Sequence, residues 1–218
     1  MRILTVNVGT FEPSEHTGAP GGRTGIGKKP VDAPVRVSAP GPKGVGGSGL
    51  AGDAIGDLRH HGGDTQAVYA YAREDLDRWE RELDRELPNG LFGENLTTEG
   101  LDINEALIGE RWRIGEHLLL EVCSVRIPCR TFQGKLGETG WIKRFTQAAR
   151  PGAYLRVLEP GDVQASDTVR VEHRPAHRVT VNLLFRALLT ESERLPEILE
   201  AGNALDPEAR ERALKHLG

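Results

Sequence analysis

The residue of this chain best placed for chemistry is Cys129, in the segment Arg126-Ile127-Pro128-Cys129-Arg130. It follows an apolar run, His117 to Val125, which reads as a buried strand. A strand that stops at a proline and then presents a cysteine sets a thiol at a sheet rim, close to polar loops. Guanidinium groups at Arg126 and Arg130, when turned toward the sulfur, stabilise its thiolate. A thiolate is a nucleophile, for which His60 or His61 is a candidate base. It is equally a soft ligand for a redox transition metal. The local sequence leaves both roles open. Cys123, inside the apolar run, reads as a small buried hydrophobe, and the Cys-x5-Cys spacing matches no zinc signature.

A second constellation is Gly52-Asp53 followed by His60-His61-Gly62-Gly63-Asp64. Adjacent histidines on a glycine turn suit an anion such as phosphate. The imidazoles supply donors, and Gly62 and Gly63 let a ligand approach the backbone. The same stretch offers Asp53, Asp57, His60, His61 and Asp64 as ligands for a divalent metal, the donor set of a hydrolase. The plainer alternative is a polar turn whose histidines bond nearby carbonyls. Residues 9–30 are rich in Gly, Pro and charge and read as a long loop. Residues 40–52 resemble a phosphate loop in composition, yet they lack its Gly-Lys-Ser/Thr ending and read as a flexible connection.

The elements that must position these groups are mostly short strands. Arg2 to Val8, Val35 to Ser38, Ala67 to Ala72, Glu94 to Thr98, Arg111 to Ile114, His117 to Val125, Tyr154 to Leu158 and Thr168 to His173 are the candidates. Gly115-Glu116 marks a hairpin, and Pro160-Gly161-Asp162 marks a turn. Close spacing without regular intervening helices favours a barrel or curved sheet over a Rossmann layer. Glu74 to Leu87 carries Leu76, Trp79, Leu83 and Leu87 on one helical face and ends at Pro88-Asn89-Gly90; Trp141 to Ala149 reads as a second helix. After Arg174 the texture turns helical, with Asp206-Pro207 as a cap and first-turn proline. The expected class is mainly β with helices (α+β): a barrel-like body over 1–174 and a helical appendage over 175–218.

Composition narrows the partners. With 218 residues, a net charge of −4 and a pI near 6.0, the chain has no dominant basic field for nucleic acid or a membrane surface. No apolar run is long enough to span a bilayer, and the first strand is too short for a secretory signal. Two cysteines make no disulfide scaffold, so a reducing cytoplasm is the expected setting.

Gly52-Asp53, HHGGD at 60–64, FGENLTTEGL at 92–101, RIPC at 126–129 and PGAYLRVLEPGDV at 151–163 occur in the order and spacing of MOSC domain proteins. The chain resembles the stand-alone bacterial subgroup linked to resistance against N-hydroxylated purines such as 6-hydroxylaminopurine. The likeness runs from about Lys29 to Val171, and the helical tail is similar to that subgroup's extension. It implies a barrel-like fold and a molybdenum-pyranopterin cofactor, with Cys129 as the metal's protein ligand. It further implies that Lys29, His60, His61, Arg126 and the backbone at Gly62 and Gly63 line the cofactor cleft. Asn95 is placed to bond the pterin or to hold the cleft loop, and Asp64 or a histidine of the doublet to relay protons. The implied activity is reduction of small N-hydroxylated compounds to amines. With no iron–sulfur, flavin or nicotinamide signature, the electrons would come from a separate reductase. The rival reading is a sulfur carrier bearing a persulfide on Cys129. The subgroup commonly reads Gln-Pro-Arg-x-Pro-Cys, whereas this chain has Ser124-Val125 before Arg126, a departure that bears on substrate preference.

Overall fold

The computed structural model describes residues 1–218. The amino-terminal strands are β1 (Arg2–Gly9), β2 (Glu12–Pro13), β3 (Arg23–Thr24), β4 (Lys28–Val31) and β5 (Val35–Val37). β6 (Val68–Ala72) leads into helix α1 (Arg73–Leu83), and β7 (Leu96–Glu99), β8 (Arg111–Ile114) and β9 (Leu118–Val125) follow. Two short helices, α2 (Arg130–Leu136) and α3 (Trp141–Ala148), precede β10 (Ala153–Glu159), β11 (Gly161–Val163) and β12 (Val169–His173). The chain finishes with α4 (Val181–Leu189), α5 (Leu195–Ile198) and α6 (Pro207–Leu217).

Eight strands form one sheet in the order β12-β8-β9-β10-β6-β7-β1-β4. All its pairings are antiparallel except β6 with β7. Every residue of β9 is buried, Glu121 and Ser124 included, and its end delivers the chain to Arg126 and Cys129. The sheet curls until β12 approaches β1, one strand in from the other edge. Ile3 N donates to Asp167 O at 2.9 Å, and Val169 N donates to Met1 O at 3.1 Å. Those bonds and an Arg2–Thr168 bridge stitch one end only, so the ladder is a strongly curved open sheet and does not close.

Several elements differ from the expectation. The loop expected over 9–30 contains β2, β3 and the first residues of β4, which pairs with β1 at the sheet edge. The turn at Pro160-Gly161-Asp162 opens β11, whose partner is β5. Helix α1 ends earlier than Leu87 because Asp84 adopts φ 49°, a left-handed cap, although Leu87 remains buried. Helix α2, directly after Cys129, was not among the expected helices.

Helices α1, α2 and α3 meet the sheet through an aromatic cluster. Phe132 lies 5.0 Å from Phe92 and 5.5 Å from Trp141, ring centre to ring centre, and Trp141 lies 4.6 Å from Trp79. Each fully buried ring contributes roughly 1.5–3 kcal/mol by burial. α2 is therefore seated firmly although it has only seven residues. Residues 175–218 share the core of the sheet: Val181, Leu184, Phe185, Leu195 and Ile198 belong to the same apolar cluster as Leu120 and Val122. Asp206 caps α6 by accepting from Glu208 N at 3.0 Å and Ala209 N at 3.2 Å, and its own N–H donates to Cys123 O on β9 at 3.0 Å.

Candidate functional site

A cleft of about 650 Å³ opens where β9 hands over to α2. The segments 24–28, 54–62 and 93–95 form its other walls, with Lys43 and Glu208 at the rim. Cys129 is partly buried in the wall. It is the last extended residue before α2 (φ −132°, ψ 169°), the geometry expected where a strand stops at a proline and a helix begins.

Arg126 is buried, 7 % exposed. Its guanidinium lies 4.3 Å from the Phe132 ring centre and 5.1 Å from that of Tyr69, held by cation–π attraction. Burial works against its charge, yet Tyr154, Tyr69, Cys129 and Glu94 around it outweigh that effect and hold its pKa above the usual arginine value. Its Nε has no hydrogen-bond partner in the protein. A buried guanidinium with no carboxylate partner on a cleft wall favours an anionic ligand nearby.

A buried ion pair stands at the 24–28 wall. Lys28 Nζ pairs with Asp53 Oδ1, the two side chains being 5 % and 0 % exposed. The Asp53 carboxylate also accepts from Gly9 N at 2.7 Å and Asn95 Nδ2 at 2.9 Å. Burial pulls the Lys28 pKa down, opposed by Asp53 and assisted by the Arg126 charge. Lys29, the residue expected here, points outward and is exposed: Gly9 pairs with Lys28 and Val8 with Lys29, so neighbouring lysines face opposite ways. Asn95 lines the cleft with both ends of its amide engaged, since Oδ1 accepts from Tyr69 N at 3.1 Å while Nδ2 holds Asp53.

The histidine doublet reaches the cleft together with Gly62. His61 is enclosed enough that burial, then the charge of Arg126 and the neighbouring His60, bring its pKa down to about 4. Its imidazole is uncharged at neutral pH. Gly62 has φ 82°, and a Cβ there would stand 2.8 Å from Gly46 O. Gly63 and Asp64 fall outside the cleft lining. Gly63 packs on the Lys43 backbone, and exposed Asp64 accepts from Gly41 N at 2.9 Å. The donor set of the hydrolase reading does not converge either. Asp53 is committed to Lys28 and Asp57 to Arg59, and no group of three or more His, Cys, Asp and Glu side chains comes together.

Sequence reasoning missed Lys28, the paired tyrosines and the rim. Tyr69 and Tyr154 lie 5.0 Å apart, both in the cleft wall, and burial raises the pKa of each phenol. The alternation of small and large residues in AVYAYA was the available signal for Tyr69. Nothing local marked His16, Lys43 or Glu208, which come to the rim from distant parts of the chain.

The arrangement is a deep cleft with one thiol, one open buried guanidinium and glycine backbone on its walls. The model of the MOSC domain matches residues 57–170, just over half of the chain, and spans the histidine doublet, Asn95, Arg126 and Cys129. The chain belongs to the MOSC domain family. MOSC domains are associated, as a family, with binding of the molybdenum cofactor. This MOSC chain is 31% identical over 196 residues to the Bacillus subtilis (strain 168) protein YflK, covering 90% of itself and 84% of YflK. It is also 31% identical over 209 residues to a protein of Gibberella moniliformis named "Reductase", spanning 89% of its own length but only 35% of that longer protein. The crystal structure of YiiM from Geobacillus stearothermophilus shares the fold, with a TM-score of 0.79 and 24% identity over 100% of this chain and 99% of that one. No helix of the MOSC chain is long and apolar enough to cross a membrane.

Proposed function

We propose that this MOSC protein holds a molybdenum-pyranopterin cofactor in the cleft and reduces small N-hydroxylated compounds to amines. Electrons would come from a separate reductase. The observation that carries the reading is Arg126, a buried guanidinium with a partnerless Nε on the same wall as the cleft's thiol. A cofactor with an anionic phosphate and a metal that accepts a thiolate uses both groups. A Cβ at Gly25 would lie 1.9 Å from Ala54 O, and one at Gly93 would lie 3.0 Å from Ile26 and 3.5 Å from Arg126, so glycine lets the segments that form the cleft pack closely on one another. The volume of the cleft suits a multi-ring ligand and exceeds what a persulfide on Cys129 requires, which favours this reading over the sulfur carrier. The name of the fungal relative is in keeping with it.

In this reading Cys129 ligates the metal, and Arg126 neutralises the anionic end of the cofactor. Lys28, drawn into its pair with Asp53, together with Asn95 keeps the 24–28 and 93–95 walls at a fixed separation. When bound, the cofactor supplies two-electron redox chemistry at oxygen. The net reaction consumes two electrons and two protons per N–O bond broken and releases the amine and water. His61, neutral and inside the cleft, suits proton transfer better than Asp64, which lies outside it.

The test is expression in a host that makes molybdenum cofactor, followed by metal and pterin analysis and reduction assays with a chemical electron donor and an N-hydroxylated base. The parent protein should carry molybdenum and pterin and form the amine. Cys129→Ala should abolish amine formation, and Arg126→Met should deplete the pterin. Full molybdenum content and full activity in Cys129→Ala would overturn the assignment.

A further inference from the structure

The segment from Glu12 to Gly18 is fastened to two different walls of the cleft. On the α2 side, Arg130 Nη2 donates to Glu15 O at 3.2 Å, Thr131 Oγ1 donates to His16 O at 3.2 Å, and Lys135 Nζ pairs with Glu12 Oε1 at 2.8 Å. On the other side Arg59 Nη2 donates to Gly18 O at 2.9 Å, while the same guanidinium holds Asp57. His16, Thr17 and Gly18 line the cleft together with Cys129.

The segment also has a seat that only glycine provides. Gly134 lies inside α2, where glycine is a poor helix former. A Cβ there would stand 2.0 Å from His16 Cδ2 and 2.6 Å from His16 Cβ. Turning the imidazole relieves the first contact but not the second, which adjoins the backbone. A Cβ at Gly27 would likewise meet Glu12 Oε1 at 2.5 Å and Lys135 Nζ at 2.6 Å. Two glycines from separate parts of the chain thus leave open the space this segment fills.

We propose that Glu12–Gly18 is a strap, seated on Gly134, that gates access to the Cys129 thiol. Its start is hinged on the two-residue β2–β3 pairing and the Ser14 N–H to Gly22 O bond; the remaining ties are hydrogen bonds and ion pairs at or near the surface, which are individually weak, so the strap opens locally while the core stays folded. α2, which carries Cys129 at its start, is by contrast held by buried aromatic rings. The moving part is therefore the strap. The gate does not depend on which cofactor or substrate the cleft takes.

Alkylation of cofactor-free protein by iodoacetamide, followed by mass spectrometry, reads the gate directly. The chain has two cysteines, and Cys123 is buried with its thiol pushed up to about 12, so the adduct reports Cys129. Gly134→Ala should raise the Cys129 alkylation rate roughly tenfold, in proportion to the open population, and should raise amide exchange over 12–18. Adding His16→Gly, which removes the clashing atoms, should return both toward the parent values. Glu12→Gln, which removes the charge from the Lys135 tie, should shift both in the same direction by less. The proposal is overturned if Gly134→Ala alkylates at the parent rate. It is also overturned if alkylation speeds up without a change in exchange over 12–18, or if His16→Gly gives no rescue. Because no cofactor is present, such a failure leaves the proposed reduction chemistry untouched.

Discussion

His61 shows how a single environment sets a residue's use. Burial and the adjacent Arg126 charge hold its pKa at about 4, against about 6.5 in an unfolded chain. Between those values the unfolded chain binds a proton that the folded cleft refuses. Folding stability is therefore fully present above pH 6.5 and declines as pH falls toward 4. The shift corresponds to roughly 2–3 kcal/mol, allowing for some solvent access to the ring. In urea titrations of cofactor-free protein at a series of pH values, His61→Gln should flatten the slope across that window. An unchanged slope would show that the histidine titrates freely. The same uncharged state matters for function, because a neutral imidazole both accepts and donates a proton, while anion binding is left to Arg126. Cys129 owes its use to position, which Pro128 and α2 supply.

At the scale of elements, the site is built where secondary structures end. β9 stops before Arg126, α2 starts after Cys129, and α6 starts beside the rim, where Glu208 pairs with Lys43 at 2.6 Å. The start of α6 depends on Asp206, whose carboxylate satisfies two N–H groups that an unformed turn would leave open. Asp206→Ala should cost about 1 kcal/mol in urea denaturation. It should also raise amide exchange in the first turn of α6 more than in α4, because only the first loses its cap. The lysines of β4 carry the complementary lesson. Lys28 and Lys29 are chemically alike, and a shift of one residue in the pairing with β1 would exchange the buried cation for the exposed one.

For the molecule as a whole, the question is whether the tail is an addition or a part of the body. Val181, Leu184, Phe185, Leu195 and Ile198 are buried against the same core as the sheet. At roughly 2 kcal/mol for each buried side chain, their removal forfeits about 10 kcal/mol, comparable with the whole stability of a domain this size. The full chain should therefore unfold in one calorimetric transition with equal van't Hoff and calorimetric enthalpies, and a chain ending at 174 should not fold. Two separate transitions, or a folded truncated chain, would show a detachable appendage. Charge follows the same whole-molecule logic. In a chain of net charge −4, the cleft's Lys28, Lys43 and Arg59 are paired with Asp53, Glu208 and Asp57, so its attraction for an anionic ligand comes from Arg126 and Arg130, which have no carboxylate partner.

The sequence alone determined the strands with strong apolar runs or alternation, the cap at Asp206-Pro207, and the motif order that carries the family. Those signals are local, so tertiary context did not have to supply them. β2, β3, β4 and β11 were illegible because they have two to four residues and little periodicity of their own; pairing with a distant strand creates them. α2 hid for a related reason, since seven residues with a central glycine form a helix only on an aromatic seat. Tertiary structure alone decided which lysine faces inward, that Asp64 leaves the cleft while Tyr69 and Tyr154 enter it, and that His16 and Glu208 reach its rim. Each of these depends on register, or on contacts between residues far apart in the chain. Such information resides in the packing of the whole molecule and not in any one segment of it.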